Sequence, residues 1–197
     1  MSVLKRFASV AVAAVSLFAV GLTGSASAAN AQADTDTAFA KQARTGGLTA
    51  ERADALQTKV DRLLSRDGGR QVSANEIRLA DGASLLVAVP GEKYARDLTK
   101  TTSAPTGTRS AAAWECDYEY FCMYRGQNGT GDRLALYTCV DHALSNWTGY
   151  GSWYNNQTPG TQAKLKDRNR NVLVTTVGAP SYHPSFNWDP IWYVRPC

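Results

Sequence analysis

Near residue 60 the chain has apolar residues at helical spacing. Those on the apolar face, at relative positions i, i+4, i+7 and i+8, are Leu56, Val60, Leu63 and Leu64. Thr49 precedes the pattern as a favourable N-cap, and Glu51 places an acid in the first turn. Gly68 and Gly69 follow it. The pattern therefore predicts one amphipathic helix between Thr49 and Gly68.

The next pattern is typical of a β-hairpin. The runs Val72–Leu79 and Ser84–Val89 flank Asp81-Gly82, a strong turn signal, and Pro90-Gly91 closes the unit. Helix and hairpin together form a small α+β segment over residues 48–96. About 45 residues bury too little surface to be secure alone, so we expect this segment to need a partner surface. The polar residues 34–47 before it predict a mobile tail.

Residues 97–113 have the composition of a linker, rich in Thr, Ser, Ala, Pro and Gly. Arg109 in such a segment would be open to an extracellular protease. Two interpretations follow for the segment before it: a pro-region that is removed, or a permanent accessory domain. The sequence also predicts that the chain from Ala111 onward folds alone once it is oxidised.

From Trp114 the pattern changes to short aromatic and apolar runs separated by turn residues. All four cysteines and fifteen of the nineteen aromatic residues lie in residues 114–197. Two strands are predicted around the glycine-rich turn Gly126–Gly131, and three more turn clusters follow, at residues 155–160, 167–171 and 178–184. Strands at this spacing predict an all-β domain, a sandwich or barrel, over residues 114–197.

The first 28 residues are typical of a secretory signal peptide. Lys5 and Arg6 precede an apolar core, Val10–Leu22, that is too short to span a membrane. Ala26-Ser27-Ala28 is a small-residue cleavage site, with Ala31-Gln32-Ala33 as an alternative. The sequence therefore predicts a secreted, extracellular protein without a membrane span.

Export favours disulfides over a metal site or a catalytic thiol. The four cysteines are Cys116, Cys122, Cys139 and Cys197. They permit three pairings, and their spacing does not choose among them.

Charge excludes few partners but argues against nucleic acid. The net charge of +4 falls to about +2 when Lys5 and Arg6 are lost with the signal. The one basic run, Lys164–Arg170, alternates charges at strand period and has no interleaved aromatics. We interpret it as a solvated face of a strand or turn and expect no nucleic-acid partner.

The segment Phe121-Cys122-Met-Tyr124, followed by Gly129-x-Gly131 and Leu134-x-Leu136-Tyr137, resembles the Greek-key motif of βγ-crystallin-like domains. A weaker second copy covers residues 164–174, and two such motifs make one sandwich. Cys-x5-Cys-x-Tyr before a glycine-rich turn is similar to the secreted actinobacterial peptidase inhibitors of that superfamily. The resemblance covers residues 114–197.

This resemblance implies a non-catalytic protein that occupies the cleft of an extracellular, thermolysin-like metallopeptidase. We expect it to be a monomer. It implies a Cys116–Cys122 disulfide, which leaves Cys139 and Cys197 as the second pair.

An inhibitory segment must be exposed, extended and stiff, so that little entropy is lost on docking. The best candidate follows the second motif, with two prolines and an amphipathic tyrosine. It consists of Val177, Gly178, Ala179, Pro180, Ser181, Tyr182, His183, Pro184 and Ser185. The alternative is an ordinary Pro/Gly connection between strands.

A second function class is a carbohydrate or cell-envelope binder, or an antimicrobial module. Aromatic residues among Gly, Ser, Asn and Thr stack on sugar rings and bond their hydroxyls. The candidates are Trp147, Tyr150, Trp153 and Tyr154. Strand periodicity equally allows much of this set to be core.

Enzyme and metal chemistry have little support. His142 and His183 are not part of a recognisable nucleophile or zinc motif, so we expect no enzymatic activity. Asn155-Asn156-Gln-Thr158 has the amide pair of a crystallin-type calcium loop but offers only neutral oxygens, a weak set for a hard cation. The sequence predicts no bound metal and no cofactor.

Overall fold

The computed structural model describes residues 38–99 and 114–197. The predicted signal peptide and most of the predicted linker, including Arg109, lie outside these residues. Helix α1 covers residues 38–45, and helix α2 covers Ala50–Asp67. Within the described ranges, no helix has the length and apolarity needed to cross a membrane.

The prediction of helix α2 is confirmed. The Thr49 hydroxyl accepts a hydrogen bond from the Arg52 N–H, and Gly68, with φ 71°, lies at the C-cap. The buried face carries Ala53, Leu56, Val60 and Leu63. Cap, glycine and spacing are local signals, which is why the sequence alone located the helix.

The prediction of a mobile tail over residues 34–47 is wrong for the part that the structure describes. Residues 38–45 form α1, and Ala43 and Leu48 are buried in the main core. The Gln42 side chain accepts a hydrogen bond from the Ala74 N–H. A few apolar side chains and one amide thus attach α1 and the residues after it to the core, although this segment is mostly polar.

The single predicted hairpin is a three-stranded unit: β1 (Arg70–Ser73), β2 (Glu76–Arg78) and β3 (Ser84–Leu86). Asp81-Gly82 does turn the chain between β2 and β3. The run Val72–Leu79, however, is broken at Ala74-Asn75. Asn75 is buried there, and its amide donates to the carbonyls of Val87 and Arg96 at 2.9 and 2.8 Å. Those acceptors come from later in the chain, so the local pattern did not reveal the break.

The part after Trp114 is all β, as predicted. Its strands are β4 (Tyr120–Tyr124), β5 (Arg133–Leu136), β6 (His142–Ala143), β7 (Tyr150–Asn156), β8 (Lys164–Lys166), β9 (Val172–Thr175), β10 (Ser181–Asn187) and β11 (Tyr193–Arg195). A 3-10 turn, Gln127–Gly129, lies within the predicted glycine-rich hairpin between β4 and β5.

The strands form two antiparallel sheets. The larger has the order β1-β2-β3-β5-β4-β7-β10, and the smaller has the order β6-β11-β8-β9. The larger sheet crosses from one described range to the other, because β3 pairs with β5 through Ser84–Ala135, Leu85–Leu134 and Leu86–Arg133. The division of the chain into separable domains stays a prediction.

One hydrophobic core joins α2 and both sheets. It includes Val60 of α2, Phe121 and Trp153 of the larger sheet, and Leu165 and Val194 of the smaller sheet. The opposite face of β4 carries a second cluster around Cys122 and Tyr124. The disulfides are Cys116–Cys122 and Cys139–Cys197, the pairing that the resemblance implied.

A buried carboxylate connects the two described ranges. Asp132, just before β5, accepts hydrogen bonds from the Ala88 N–H at 2.8 Å and from the Lys59 ammonium of α2 at 2.6 Å. Only 7 % of its side chain is exposed. Because a buried charge is costly without partners, this arrangement ties α2 and the chain after β3 to β5.

Candidate functional site: the segment from β9 to β10

The candidate inhibitory segment 177–185 has two parts. Residues 177–180 form a turn, and residues 181–185 belong to β10, an edge strand of the larger sheet. Its two large apolar side chains face solvent: Val177 is 73 % exposed and Tyr182 is 63 % exposed. The segment is therefore exposed and extended over its second half.

Hydrogen bonds brace the turn against the neighbouring chain. Ala179 exchanges backbone bonds with the turn before β8: its carbonyl accepts from the Gly160 N–H and its own N–H donates to the Thr161 carbonyl, both at 2.9 Å. The Ser181 hydroxyl donates to the Val177 carbonyl at 2.8 Å. A Cβ on Gly178 would lie 3.0 Å from the Gly160 Cα, so the two turns approach as closely as glycines allow.

The start of β10 is also held by its pairing with β7 and by side-chain contacts. Tyr182 pairs with Tyr154 and His183 with Trp153 on β7, and the register shifts between His183 and Phe186. At this bulge the Ser185 hydroxyl accepts a hydrogen bond from the Gln127 amide at 2.8 Å. The Tyr182 and Trp114 rings lie 5.1 Å apart. The segment is thus exposed to solvent and held in place by hydrogen bonds and ring contacts.

The strand that leads into this segment was not singled out from the sequence as a contact surface. β9 is the outer strand of the smaller sheet, and its Val172 and Leu173 are each 48 % exposed. The uncharged run Val172–Val177 is rich in β-branched residues, which is typical of a strand. Such a run is usually expected to be buried, so nothing in the sequence indicated that this one is exposed.

The basic run next to β9 is more organised than the solvated face that we predicted. Lys166, Arg170 and Arg195 converge on Asp141 at 2.7, 3.2 and 2.9 Å. The hydrogen bond from Lys166 is the main reason that the pKa of Asp141 lies below its ordinary value. The guanidinium of Arg168 lies over the Trp192 ring, 5.2 Å from its centre.

The four candidate sugar-stacking aromatics do not share an exposed surface. Trp147 and Trp153 are buried, and Trp153 stacks on Phe121 in the core. Tyr154 is half-buried, and Tyr150 alone among the four is well exposed, at 62 %. The structure therefore gives no support to a stacking platform built from this set.

The two histidines lie apart and in different environments. His142 is buried and contacts the Asp81 carboxylate through Nδ1 and the Thr138 carbonyl through Nε2, both at 2.8 Å. Two acceptors call for two N–H groups, which favours the charged imidazolium. His183, on the exposed edge strand, contacts the rings of Trp153 and Phe186.

The candidate calcium loop is occupied by internal hydrogen bonds. The Asn155 carbonyl oxygen accepts from the Gln157 amide at 2.9 Å, and its NH2 group donates to the Thr161 carbonyl at 2.8 Å. The Asn156 NH2 group donates to the Cys116 carbonyl at 2.9 Å. These contacts give the pair a structural role at the end of β7. Across residues 38–99 and 114–197, no cluster of three or more His, Cys, Asp or Glu side chains could hold a metal ion.

Comparison with known proteins points to one family. No curated protein and no solved structure matches the chain. Residues 109–169 match the family model of peptidase inhibitor family I36, a region that runs from before Cys116 to the turn after β8 and ends just before β9. This match confirms the resemblance over that region and supports a peptidase inhibitor-like function for the chain.

Proposed function

We propose that the chain inhibits an extracellular metallopeptidase of the thermolysin type by inserting residues 177–185 into the catalytic cleft. The observation that carries this proposal is the combination of exposure and support in that segment. Val177 and Tyr182 face solvent, while backbone bonds from Ala179 hold the turn to the neighbouring chain at Gly160 and Thr161.

Support matters because it separates an inhibitor from a substrate. A flexible loop loses conformational entropy on entering a cleft, and its two halves separate after cleavage. A braced segment has lost that entropy already, so more of its contact energy appears as affinity. The backbone bonds of Ala179 and the Ser181–Val177 hydrogen bond also hold the turn in place if one peptide bond is cut, so that the half-products stay in the cleft.

Tyr182 is the anchor in this proposal. Aromatic residues with a polar tip dominate the energetics of many interfaces. The contact with the Trp114 ring limits the orientations of Tyr182, and its pairing with Tyr154 fixes its place on the edge of the sheet. Val177, four residues before Ser181 and bonded to it, offers a second exposed apolar side chain at the start of the turn.

Further parts of the proposal rest on the sequence pattern together with the family resemblance. The chain is exported with a signal peptide at residues 1–28 and acts as a non-enzymatic monomer. Two disulfides fit an oxidising, extracellular environment. The two sheets enclose a βγ-crystallin-like pair of Greek-key motifs, with β4 and β5 in the first and β8 and β9 in the second.

The test is a titration of the oxidised full-length chain against thermolysin, with the serine peptidase subtilisin as a class control. Tyr182→Ala is compared with Tyr150→Ala, because both tyrosines lie on the β7–β10 pair and are almost equally exposed. We expect inhibition of thermolysin, a rise of at least tenfold in Ki for Tyr182→Ala and no change for Tyr150→Ala. Melting temperatures show whether either variant is destabilised.

Two results would contradict the proposal. If the chain does not inhibit thermolysin at micromolar concentrations, metallopeptidases of this type are excluded as its target. Equal Ki values for the two variants would show that residues 177–185 are not the contact with the peptidase, even if inhibition persists.

A further inference from the structure

The two sheets have four edge strands among the described residues: β1, β10, β6 and β9. An edge strand presents unpaired N–H and C=O groups that can pair with another chain, and proteins usually protect such edges. A comparison of the four shows which one is the least protected.

Three of the edges are protected in recognisable ways. β1 lies against α2, with amide hydrogen bonds between Gln71 and Gln57. β10 carries Pro184 within a bulge, which interrupts its pairing groups. β6 has only two residues. Short length, proline, a bulge and a covering helix are the usual protections of an edge.

β9 has only one of these protections, a register shift in its pairing with β8 that leaves Leu173 without an opposite residue. It has four residues, Val172–Thr175, with no proline and no charged side chain. Val172, Leu173 and Thr175 are exposed, and β8 is the one strand that pairs with it in the described chain. An apolar, β-branched, uncharged edge is the type of strand that adds a partner strand.

Positive charge surrounds this edge. Lys166 pairs with Val172 and Lys164 pairs with Thr175, so both ammonium-bearing side chains share a face of the sheet with exposed residues of β9. Nearby strands and turns add three cations and two carboxylates: Arg168, Arg170, Arg195, Asp141 and Asp167. Five cations against two anions leave an excess of three positive charges on this side.

We propose that β9 accepts an extended segment of the partner peptidase as a fifth strand of the smaller sheet. That segment carries apolar residues on one face and acidic residues on the other, the face of the sheet on which the exposed Lys164 lies. The inference rests on the proposed function for the identity of the partner. Only Thr176 separates β9 from the segment 177–185. Strand pairing at β9 and insertion of residues 177–185 into the cleft would therefore form one continuous interface.

Charge also decides against a second copy of this chain as the occupant. Pairing β9 of one molecule with β9 of another would bring two faces with excess positive charge together. Like charges at a short distance oppose association, and this cost falls only at high salt. An acidic strand gains from the same field.

The first experiment needs no peptidase. The probe is a seven-residue peptide of alternating glutamate and valine, blocked at both ends. One control replaces its glutamates with lysines, and a second carries N-methyl groups on the valines, which remove the N–H donors. We expect the first peptide to slow hydrogen exchange at residues 172–175, and each control to bind at least tenfold more weakly. Equal binding of the N-methylated peptide, or slowed exchange elsewhere only, would overturn the proposal.

The second experiment uses thermolysin. The variant Val172→Ala/Leu173→Ala removes apolar contacts without changing charge, and Tyr118→Ala is the control because Tyr118 is similarly exposed on a turn far along the chain. We expect the double variant to raise Ki at least tenfold at unchanged melting temperature, with no effect of Tyr118→Ala. If Tyr182→Ala abolishes inhibition while the double variant inhibits normally, the proposed function stands and strand addition is refuted. A dimer that the double variant dissociates would also refute it.

Discussion

Residues 38–99 and residues 114–197 share the larger sheet and the main core, but their surfaces differ. All nine large apolar side chains that the structure leaves exposed lie in the second range, between Tyr118 and Trp192; residues 38–99 expose none. Single exposed apolar residues are ordinary, whereas contiguous apolar patches mark contact surfaces. The difference between the two ranges is consistent with our proposal that the second contacts a partner while the first supports the fold.

The supporting role is visible in how the first range contacts the second. β3 completes the larger sheet beside β5, and α2 places Val60 in the common core. Asp132 and His142 of the second range bond to Lys59 and Asp81 of the first. The first range thus covers an edge and a face that would otherwise meet water.

The largest expected effect comes from separating the two ranges. Deleting residues 38–99 exposes the β5 edge and the core around Phe121, so we expect a loss of more than about 5 kcal/mol in the free energy of unfolding, comparable to the total stability of many domains. Cooperative thermal unfolding of the chain from Ala111 would be lost.

The sequence pattern predicted the opposite, an independent fold from Ala111. Circular dichroism melting of the oxidised truncated chain decides between them. A cooperative transition close to that of the full chain would show that the first range is dispensable, and the comparison drawn above would fail.

The next largest effect concerns the disulfide that closes the second range. Cys139 and Cys197 are separated by 58 residues, whereas Cys116 and Cys122 are separated by 6. By loop-closure entropy, replacing the long bridge with serines costs about 4 kcal/mol and replacing the short one about 2 kcal/mol. Urea unfolding of the two double-serine variants measures both. Equal losses would mean that strain or residual structure, and not loop length, determines their effect.

Asp132 tests the polar connection between the ranges. Asp132→Ala leaves the Ala88 N–H and the Lys59 ammonium without their shared acceptor, which we expect to cost about 3 kcal/mol. Asp132→Asn keeps an acceptor oxygen and should cost less. A loss below about 1 kcal/mol for the alanine variant, measured by urea unfolding, would show that water replaces both contacts.

The smallest effect is a pH dependence at the Asp81–His142 contact. Burial disfavours the charged imidazole, but bonds to Asp81 and the Thr138 carbonyl raise the pKa of His142. The same contact lowers the pKa of Asp81. The stabilisation is therefore complete below the ordinary histidine pKa of about 6.5 and above the ordinary aspartate pKa of about 3.9. It is lost as pH rises through the raised pKa of His142 and as pH falls through the lowered pKa of Asp81.

The variant His142→Gln should remove this dependence, which we expect to amount to about 1 kcal/mol. Melting curves of wild type and variant between pH 5 and pH 9 give the comparison. A stability difference that stays constant over this range would indicate that His142 remains neutral in the folded protein.

The sequence predicted those parts of the fold that local signals determine. Thr49, Gly68 and the apolar spacing between them located α2, and the turn Gly126–Gly131 located the β4–β5 hairpin. The break at Asn75 escaped prediction because its acceptors, the carbonyls of Val87 and Arg96, are distant in sequence. The β3–β5 pairing joins residues about fifty positions apart, and no local pattern encodes it.

The sequence likewise predicted only part of the candidate site. Prolines and glycines drew attention to residues 177–185, but their division into a braced turn and an edge strand depends on Gly160, Thr161 and β7. From the sequence, the aromatic residues around Trp153 fitted a ligand site and a hydrophobic core equally well. Strand periodicity shows which side chains share a face of the sheet, but not whether that face is exposed. Exposure of β9 follows from its place at the end of a sheet, which only the topology determines.

The central claim, that the second range contacts a peptidase and the first supports it, is tested most directly by hydrogen–deuterium exchange of the full chain with and without thermolysin. We predict slower exchange at residues 172–187 and unchanged exchange in α2 (Ala50–Asp67). The protection should disappear when a small zinc-binding inhibitor already fills the thermolysin cleft. Protection in α2 with none at residues 172–187 would contradict the account.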